Sequence, residues 1–257
     1  MFEILGGKMA RRFIVENDDV KYISKEENLF YIKGKEVKHI QVLRYNVDDI
    51  IIINEYVCKI IKMHSNNIEL KILSQAKKQG EPNINLTVHI AYLKGDKMDF
   101  VIQKAVELGV KTIVPFISSN TIVRLDEKTK IKKKEKLQVI ANEACKQCGR
   151  TDLVEVKDIV SFNELIKTIK TDFDINIFAY ENESNKASLR DAMEYINKKE
   201  YKDISVVIGP EGGFTTEESK NLKEIENTKS VSLGTRILRA ETAVINIISI
   251  IMYELDK

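Results

Sequence analysis

Two stretches of this 257-residue chain set bare glycine backbone beside charged side chains. The first is Gly209-Pro210-Glu211-Gly212-Gly213-Phe214, which follows an apolar run at 204–208 and precedes Thr215-Thr216-Glu217-Glu218. Thr215 and Glu218 have capping-box spacing, so a helix is expected to start there. A strand-loop-helix junction with three glycines leaves bare peptide groups at the C-terminal edge of a sheet, where α/β proteins usually bind ligands. A Cβ at Gly212 is then expected to occupy space that a ligand needs. The competing reading is a tight turn that uses glycine for its dihedrals and touches nothing. The loop has neither the lysine of a P-loop nor the Gly-x-Gly-x-x-Gly of a dinucleotide cradle, which disfavours standard phosphate and NAD sites.

The second stretch is Val231-Ser232-Leu233-Gly234-Thr235-Arg236-Ile237-Leu238-Arg239-Ala240-Glu241-Thr242-Ala243, again a strand end, a glycine and a helix. Arg239 and Glu241 bring a cation and a carboxylate to the start of that helix, to act on a substrate or to pair with each other or solvent. The helix carries Ala243, Val244, Ile247, Ile248, Ile251, Met252 and Leu255 on one face, and Ile245 and Ile250 broaden it. Such a helix is buried or meets a second subunit. Cys145-x-x-Cys148 is half of a metal or redox motif, but the other candidate ligands, Cys58, His39, His64 and His89, are scattered, so small core packing is the better reading and no metal is expected.

The elements that must position these residues fall into two rhythms. From residue 12 to 73, short β-forming runs (13–15, 28–32, 49–54, 57–63 and 68–73) alternate with polar turns, a small β-rich domain over 1–73. Residues 74–83, with Gly80 and Pro82, break the periodicity and read as a linker. Over 84–257 strands at 86–92, 112–117, 175–180, 204–208 and 230–233 alternate with helices at 97–108, 130–148, 162–170, 188–198 and 217–226. That alternation argues for an α/β domain with a mainly parallel sheet.

Apolar residues at 43% and charged residues at 31% fit a folded globular protein. The net charge of +2 announces no polyanion partner, so clustering must decide. Basic residues gather at 8–12, 33–44 and 128–136, as solvated faces or as phosphate contacts. Three unevenly spaced cysteines fit a reducing cytoplasm, and the longest apolar run, 243–252, is interrupted and too short to span a membrane. Met9 could equally open the chain, which would make the first eight residues dispensable.

The two glycine stretches resemble the cofactor loops of the 16S ribosomal RNA uracil-N3 methyltransferases of the SPOUT superfamily. The resemblance covers nearly the whole chain. Arg11-Arg12-Phe13 and His39-Ile40-Gln41-Val42-Leu43-Arg44 are similar to that family's N-terminal domain. Leu93-Lys94-Gly95-Asp96-Lys97-Met98 and Lys104-Ala105-Val106-Glu107-Leu108-Gly109-Val110 are similar to the opening of its catalytic domain, and Ala141-Asn142-Glu143-Ala144-Cys145-Lys146-Gln147-Cys148-Gly149-Arg150 to its central helix.

The resemblance implies a PUA-like β-barrel for RNA, then an α/β domain with a deep trefoil knot, working as a homodimer on 16S rRNA in the small ribosomal subunit. It implies S-adenosylmethionine held by Ala179, Tyr180 and Glu181, by Gly209, Pro210, Glu211, Gly212 and Gly213, and by Leu233, Gly234, Ile237, Leu238, Arg239, Thr242 and Ala243. Arg11, Arg12, Lys38, His39, Arg44 and Lys94 are the expected RNA contacts. The implied reaction methylates N3 of uridine 1498, a nitrogen that is a poor nucleophile until its proton leaves. A cation beside O2 or O4 would favour the anion. Arg12, Arg150 and Arg239 are candidates for it, with Glu143 or Glu241 orienting or accepting the proton. Two rival readings stand beside this one: a SPOUT enzyme acting on transfer or large-subunit RNA, and a non-catalytic RNA-binding protein of the same fold.

Overall fold

The computed structural model describes residues 3–5, 8–76, 80–181, 183 and 188–256, with side chains from residue 11 onward except Asn17. The chain divides into two compact units, Met1–Gly80 with Lys146–Asp152, and Glu81–Cys145 with Leu153–Lys257. Parts of the expected dispensable start (residues 1, 2, 6 and 7) and of the expected linker (77–79) lie outside the described residues.

In the first unit β1 (Glu3–Leu5) pairs antiparallel with β2 (Lys8–Ala10). There follow β3 (Arg12–Phe13), β4 (Val20–Ser24), β5 (Leu29–Lys33), α1 (Lys35–Val42), β6 (Ile50–Ile53), β7 (Tyr56–Met63) and β8 (Asn67–Gln75). The last six strands form one sheet in the order β3-β6-β7-β8-β5-β4, antiparallel except for β3 beside β6. Strand alternation sends Phe30 and Ile32, Ile51 and Ile53, Cys58 and Ile60, and Ile68 and Leu70 into a single core with Phe13. Burial pushes the Cys58 thiol up to about 12, so it behaves as a small apolar side chain. Periodicity passes over α1 because two residues, Val37 and Ile40, reach the core while its lysines face water. Lys146 joins this unit through its ammonium, 2.7 Å from Glu36 Oε1.

The second unit contains β9 (Asn85–Ala91), α2 (Asp96–Glu107), β10 (Thr112–Ile117), α3 (Glu127–Cys148) up to Cys145, β11 (Glu155–Val156), β12 (Val160–Ser161), α4 (Phe162–Thr171), β13 (Ile175–Ala179), α5 (Leu189–Lys199), β14 (Asp203–Ile208), α6 (Thr216–Lys223), β15 (Thr228–Val231) and α7 (Ala240–Leu255). Its sheet is parallel throughout, in the order β11-β10-β9-β14-β13-β15 with β12 also on β10. Near-continuous burial of β9, β13 and β14 is what a sheet covered on both faces requires. His89, in β9, is wholly buried with Nδ1 3.1 Å from Ser205 Oγ, and burial lowers its pKa to about 3. It is a neutral core residue.

Register positions the site. Ala179 pairs with Ile208 on one side and Val231 on the other, so three adjacent strands end at one level. Tyr180, Ser232 and Leu233 therefore lie in loops just past those ends, rather than in the strands periodicity assigned them to. Ala243, Val244, Ile247, Ile248 and Ile251 of α7 are buried, Ile245 and Ile250 are half-buried, and Tyr253 is 84% exposed. No helix among the described residues is long and apolar enough to cross a membrane.

Candidate active site

The loops after β13, β14 and β15 surround a cavity of about 560 Å³, with Lys97 of α2 also in its wall. The β14 loop is anchored by its own sequence. Gly213 N donates to Pro210 O at 2.9 Å, closing a turn in which Gly213 has φ 69°, a conformation that favours glycine. Phe214 then dives into the core, stacking on Phe116 at 6.2 Å and meeting Phe178 edge-on at 5.1 Å. A Cβ on Gly209 would sit 2.6 Å from that ring. The Thr215–Glu218 capping box forms on α6, and Glu218 also accepts from Ser119 N at 2.8 Å. Asn120 Nδ2 donates to the carbonyls of Gly212 and Gly213 at 3.3 and 3.1 Å.

The β15 loop is braced less. Ser232 Oγ accepts from Gly234 N at 3.3 Å and lies 3.2 Å from Gly234 O. Gly234 has φ 116°, and a Cβ there would meet no heavy atom within 4 Å. At Gly234 the missing side chain thus leaves open space. A Cβ on Gly212 would point at Asn120, 3.2 Å from its Cβ and 3.3 Å from its carbonyl oxygen, rather than into open space.

Residues 79–252 match the model of an RNA methyltransferase domain. The protein named ribosomal RNA small subunit methyltransferase E in Bacillus subtilis is 32% identical over 96% of this chain and 98% of its own length. The chain belongs to the ribosomal RNA small subunit methyltransferase E family. The Aquifex aeolicus member is 35% identical over 88% of this chain and 94% of its own. A crystal structure of the Neisseria gonorrhoeae member bound to S-adenosyl methionine matches with a TM-score of 0.76 at 29% identity, covering 95% of this chain and 97% of that one.

In this methyltransferase E family member, Ala179, Tyr180, Glu181, Gly209, Pro210, Glu211, Gly212, Gly213, Leu233, Gly234, Ile237, Leu238, Arg239 and Ala243 all line the cavity. Thr242 is exposed on α7 and is not part of the lining. The remaining candidates scatter. Arg12 and Arg150 belong to the first unit, where Arg12 Nη1 donates to the Asn54 carbonyl and Arg150 is 4% exposed. Glu143 is exposed on α3 and lines no part of the cavity. Arg11, Lys38 and Arg44 are exposed on the first unit; His39 Nδ1 lies 3.0 Å from Glu36 Oε2, with its ring edge-on to Phe13. Lys94 belongs to the second unit and offers its backbone N–H to Glu211 Oε1 at 3.4 Å.

Sequence reasoning missed Lys97, Ile208, Ser232, Thr235, Arg236 and Ala240 as cavity residues. Arg236 and Thr235 stood inside a quoted stretch, and their proximity to Gly234 was the available signal. Lys97 had none beyond its family motif. It faces two carboxylates, Glu211 Oε1 at 3.3 Å and Glu241 Oε2 at 3.8 Å, so Glu241 turns to Lys97 and not to Arg239. Burial raises the Glu211 carboxyl, but hydrogen bonds from its own N–H, Lys97 and Lys94 outweigh this, and its pKa is lowered overall. Among the described residues Arg236 and Arg239 are exposed and have no acidic partner.

Proposed function

We propose that the protein transfers a methyl group from S-adenosylmethionine to N3 of uridine 1498 in 16S rRNA, in the small ribosomal subunit and in the cytoplasm. The observation that carries this reading is the convergence of three strand-end loops on one cavity, in a chain whose relatives are named for methylating small-subunit rRNA. The residues fit the cofactor. Gly234 leaves a space that a side chain would fill, and Glu211 Oε2 is a buried carboxylate oxygen with no donor among the described residues. Residues 179–181 and 209–213 would hold the ribose and methionine portions, and the backbone of Leu233, Gly234 and Leu238 the adenine. S-adenosylmethionine supplies an electrophilic methyl on a sulfonium.

Uracil N3 must lose its proton before it can attack. Arg239, exposed at the cavity, is free to set its planar guanidinium against O2 or O4 and favour the anion. The first unit, as a PUA-like barrel over 1–73, would hold the RNA through Arg11, Lys38 and Arg44. The second, over 84–257, would be a knotted SPOUT domain that dimerises through α7, whose Ile245, Ile250 and Tyr253 are incompletely covered.

Nucleoside mapping of 16S rRNA from a deletion strain, with and without the restored gene, tests this. Loss and return of N3-methyluridine at that position is expected. A loss confined to transfer or large-subunit RNA overturns the assignment.

A further inference from the structure

Three elements meet at the edge of the cavity: the start of α2 through Lys97 and the β14 loop through Glu211, both in its wall, and the first turn of α7 through Glu241, which is not part of the lining and reaches Lys97. The two carboxylate side chains are 19% and 16% exposed. Among the described residues Glu211 Oε2 and Glu241 Oε2 are both buried without a hydrogen bond, although the latter lies 3.8 Å from the Lys97 ammonium. One ammonium against two carboxylates leaves a net negative charge. It is partly shielded from solvent and is therefore screened less than the exposed Arg236 and Arg239 that share the cavity.

Resting on the methyl-transfer reading above, we propose that the Lys97–Glu211–Glu241 cluster makes this cavity prefer the sulfonium form of its cofactor over the neutral thioether that transfer leaves behind. When the methyl departs, the S–CH₃ electron pair stays on sulfur and the ligand loses one positive charge. Adenosine, ammonium and carboxylate are unchanged. A wall charge therefore distinguishes the two forms through the sulfur alone, and at about 10 Å, in an effective dielectric of about 20, one unit charge changes relative affinity about tenfold. The consequence is weaker retention of the spent cofactor.

The test is calorimetric titration of the full chain with S-adenosylmethionine and with S-adenosylhomocysteine, at about pH 8.5 so that neighbouring carboxylates stay ionised without Lys97. The wild type should bind the sulfonium more tightly. Glu241→Gln neutralises the cluster and should shrink that preference several-fold; Lys97→Met makes it more negative and should enlarge it; Lys97→Arg should leave it in place. Opposite movements separate charge from damage, since a merely structural role weakens both ligands alike. A preference that stays fixed, or moves the same way in Glu241→Gln and Lys97→Met, overturns the proposal, as would direct contact of Lys97 with the ligand carboxylate, which weakens both forms equally. Should Lys97→Met not fold, the comparison of Glu241→Gln with the Glu211→Gln/Glu241→Gln double variant decides, the preference falling further in the double variant. Should the wild type bind neither ligand, the cofactor assignment itself fails and takes this inference with it.

Discussion

The two units use their cations differently. In the second, Arg236 and Arg239 come from one short loop and converge on a concave site, while Lys97 is held between carboxylates in the same wall. In the first, Arg11, Lys38 and Arg44 are exposed, and Arg12 is tied to the Asn54 carbonyl. Converging cations in a cavity suit one small group whose charge changes during a reaction. Exposed cations outside any such cavity suit an extended polyanion, where each contributes a similar increment. The contrast turns a list of basic residues into two separable roles.

The largest expected effect is at Arg239. Arg239→Ala should slow single-turnover methylation of purified small subunits by about 10²-fold or more, with RNA affinity unchanged, if the guanidinium stabilises the uracil anion. Turnover at the wild-type rate would erase the distinction between converging and dispersed cations. Next comes Gly234. Its φ of 116° and open Cβ direction mean that Gly234→Ala should weaken S-adenosylmethionine binding about tenfold, with a strain cost of about 1–3 kcal/mol that leaves the protein folded. Gly212→Ala, which presses on Asn120, should cost mainly thermal stability; a larger affinity loss there than at Gly234 would return the ligand-facing role to the β14 loop.

Much of the fold was legible because burial followed simple periods. β9, β13 and β14 read as apolar runs, since the sheet is covered on both faces, and α7 as a helix too apolar for a surface, although Ile245, Ile250 and Tyr253 are incompletely covered. The capping box at Thr215 located the start of α6 from two residues. What stayed hidden depends on contacts between distant segments. Lys97 is 114 residues from Glu211, and Asn120 is 92 from Gly212, so no local pattern shows either pair. Nor does any local rule reveal that Arg150 falls in the first unit, since it follows the end of α3 among residues with mixed burial. The direction of a glycine's missing side chain is likewise a tertiary property, which is why Gly212 and Gly234 looked equivalent in sequence.

The smallest effect, and the one that addresses the first unit, concerns Arg11 and Lys38. Both are exposed, and neither has an ion-pair partner among the described residues, so replacing them removes cations without breaking an ion pair among those residues. If they neutralise phosphates, each binding event releases counterions, and the logarithm of affinity falls linearly with the logarithm of salt. The Arg11→Ala/Lys38→Ala variant should therefore bind small subunits several-fold more weakly at low salt, with a slope shallower by about 1–2, and the deficit should shrink as salt rises. Cofactor affinity should not change, because the cavity is lined entirely by the other unit. Filter binding at two salt concentrations, beside a cofactor titration, reads both quantities. Equal loss at both concentrations would mean that the residues hold the unit's shape rather than RNA. Normal binding at both would move the RNA surface elsewhere, to the lysines of α3 near 128–136 first, and the division of roles would then have to be drawn within the second unit.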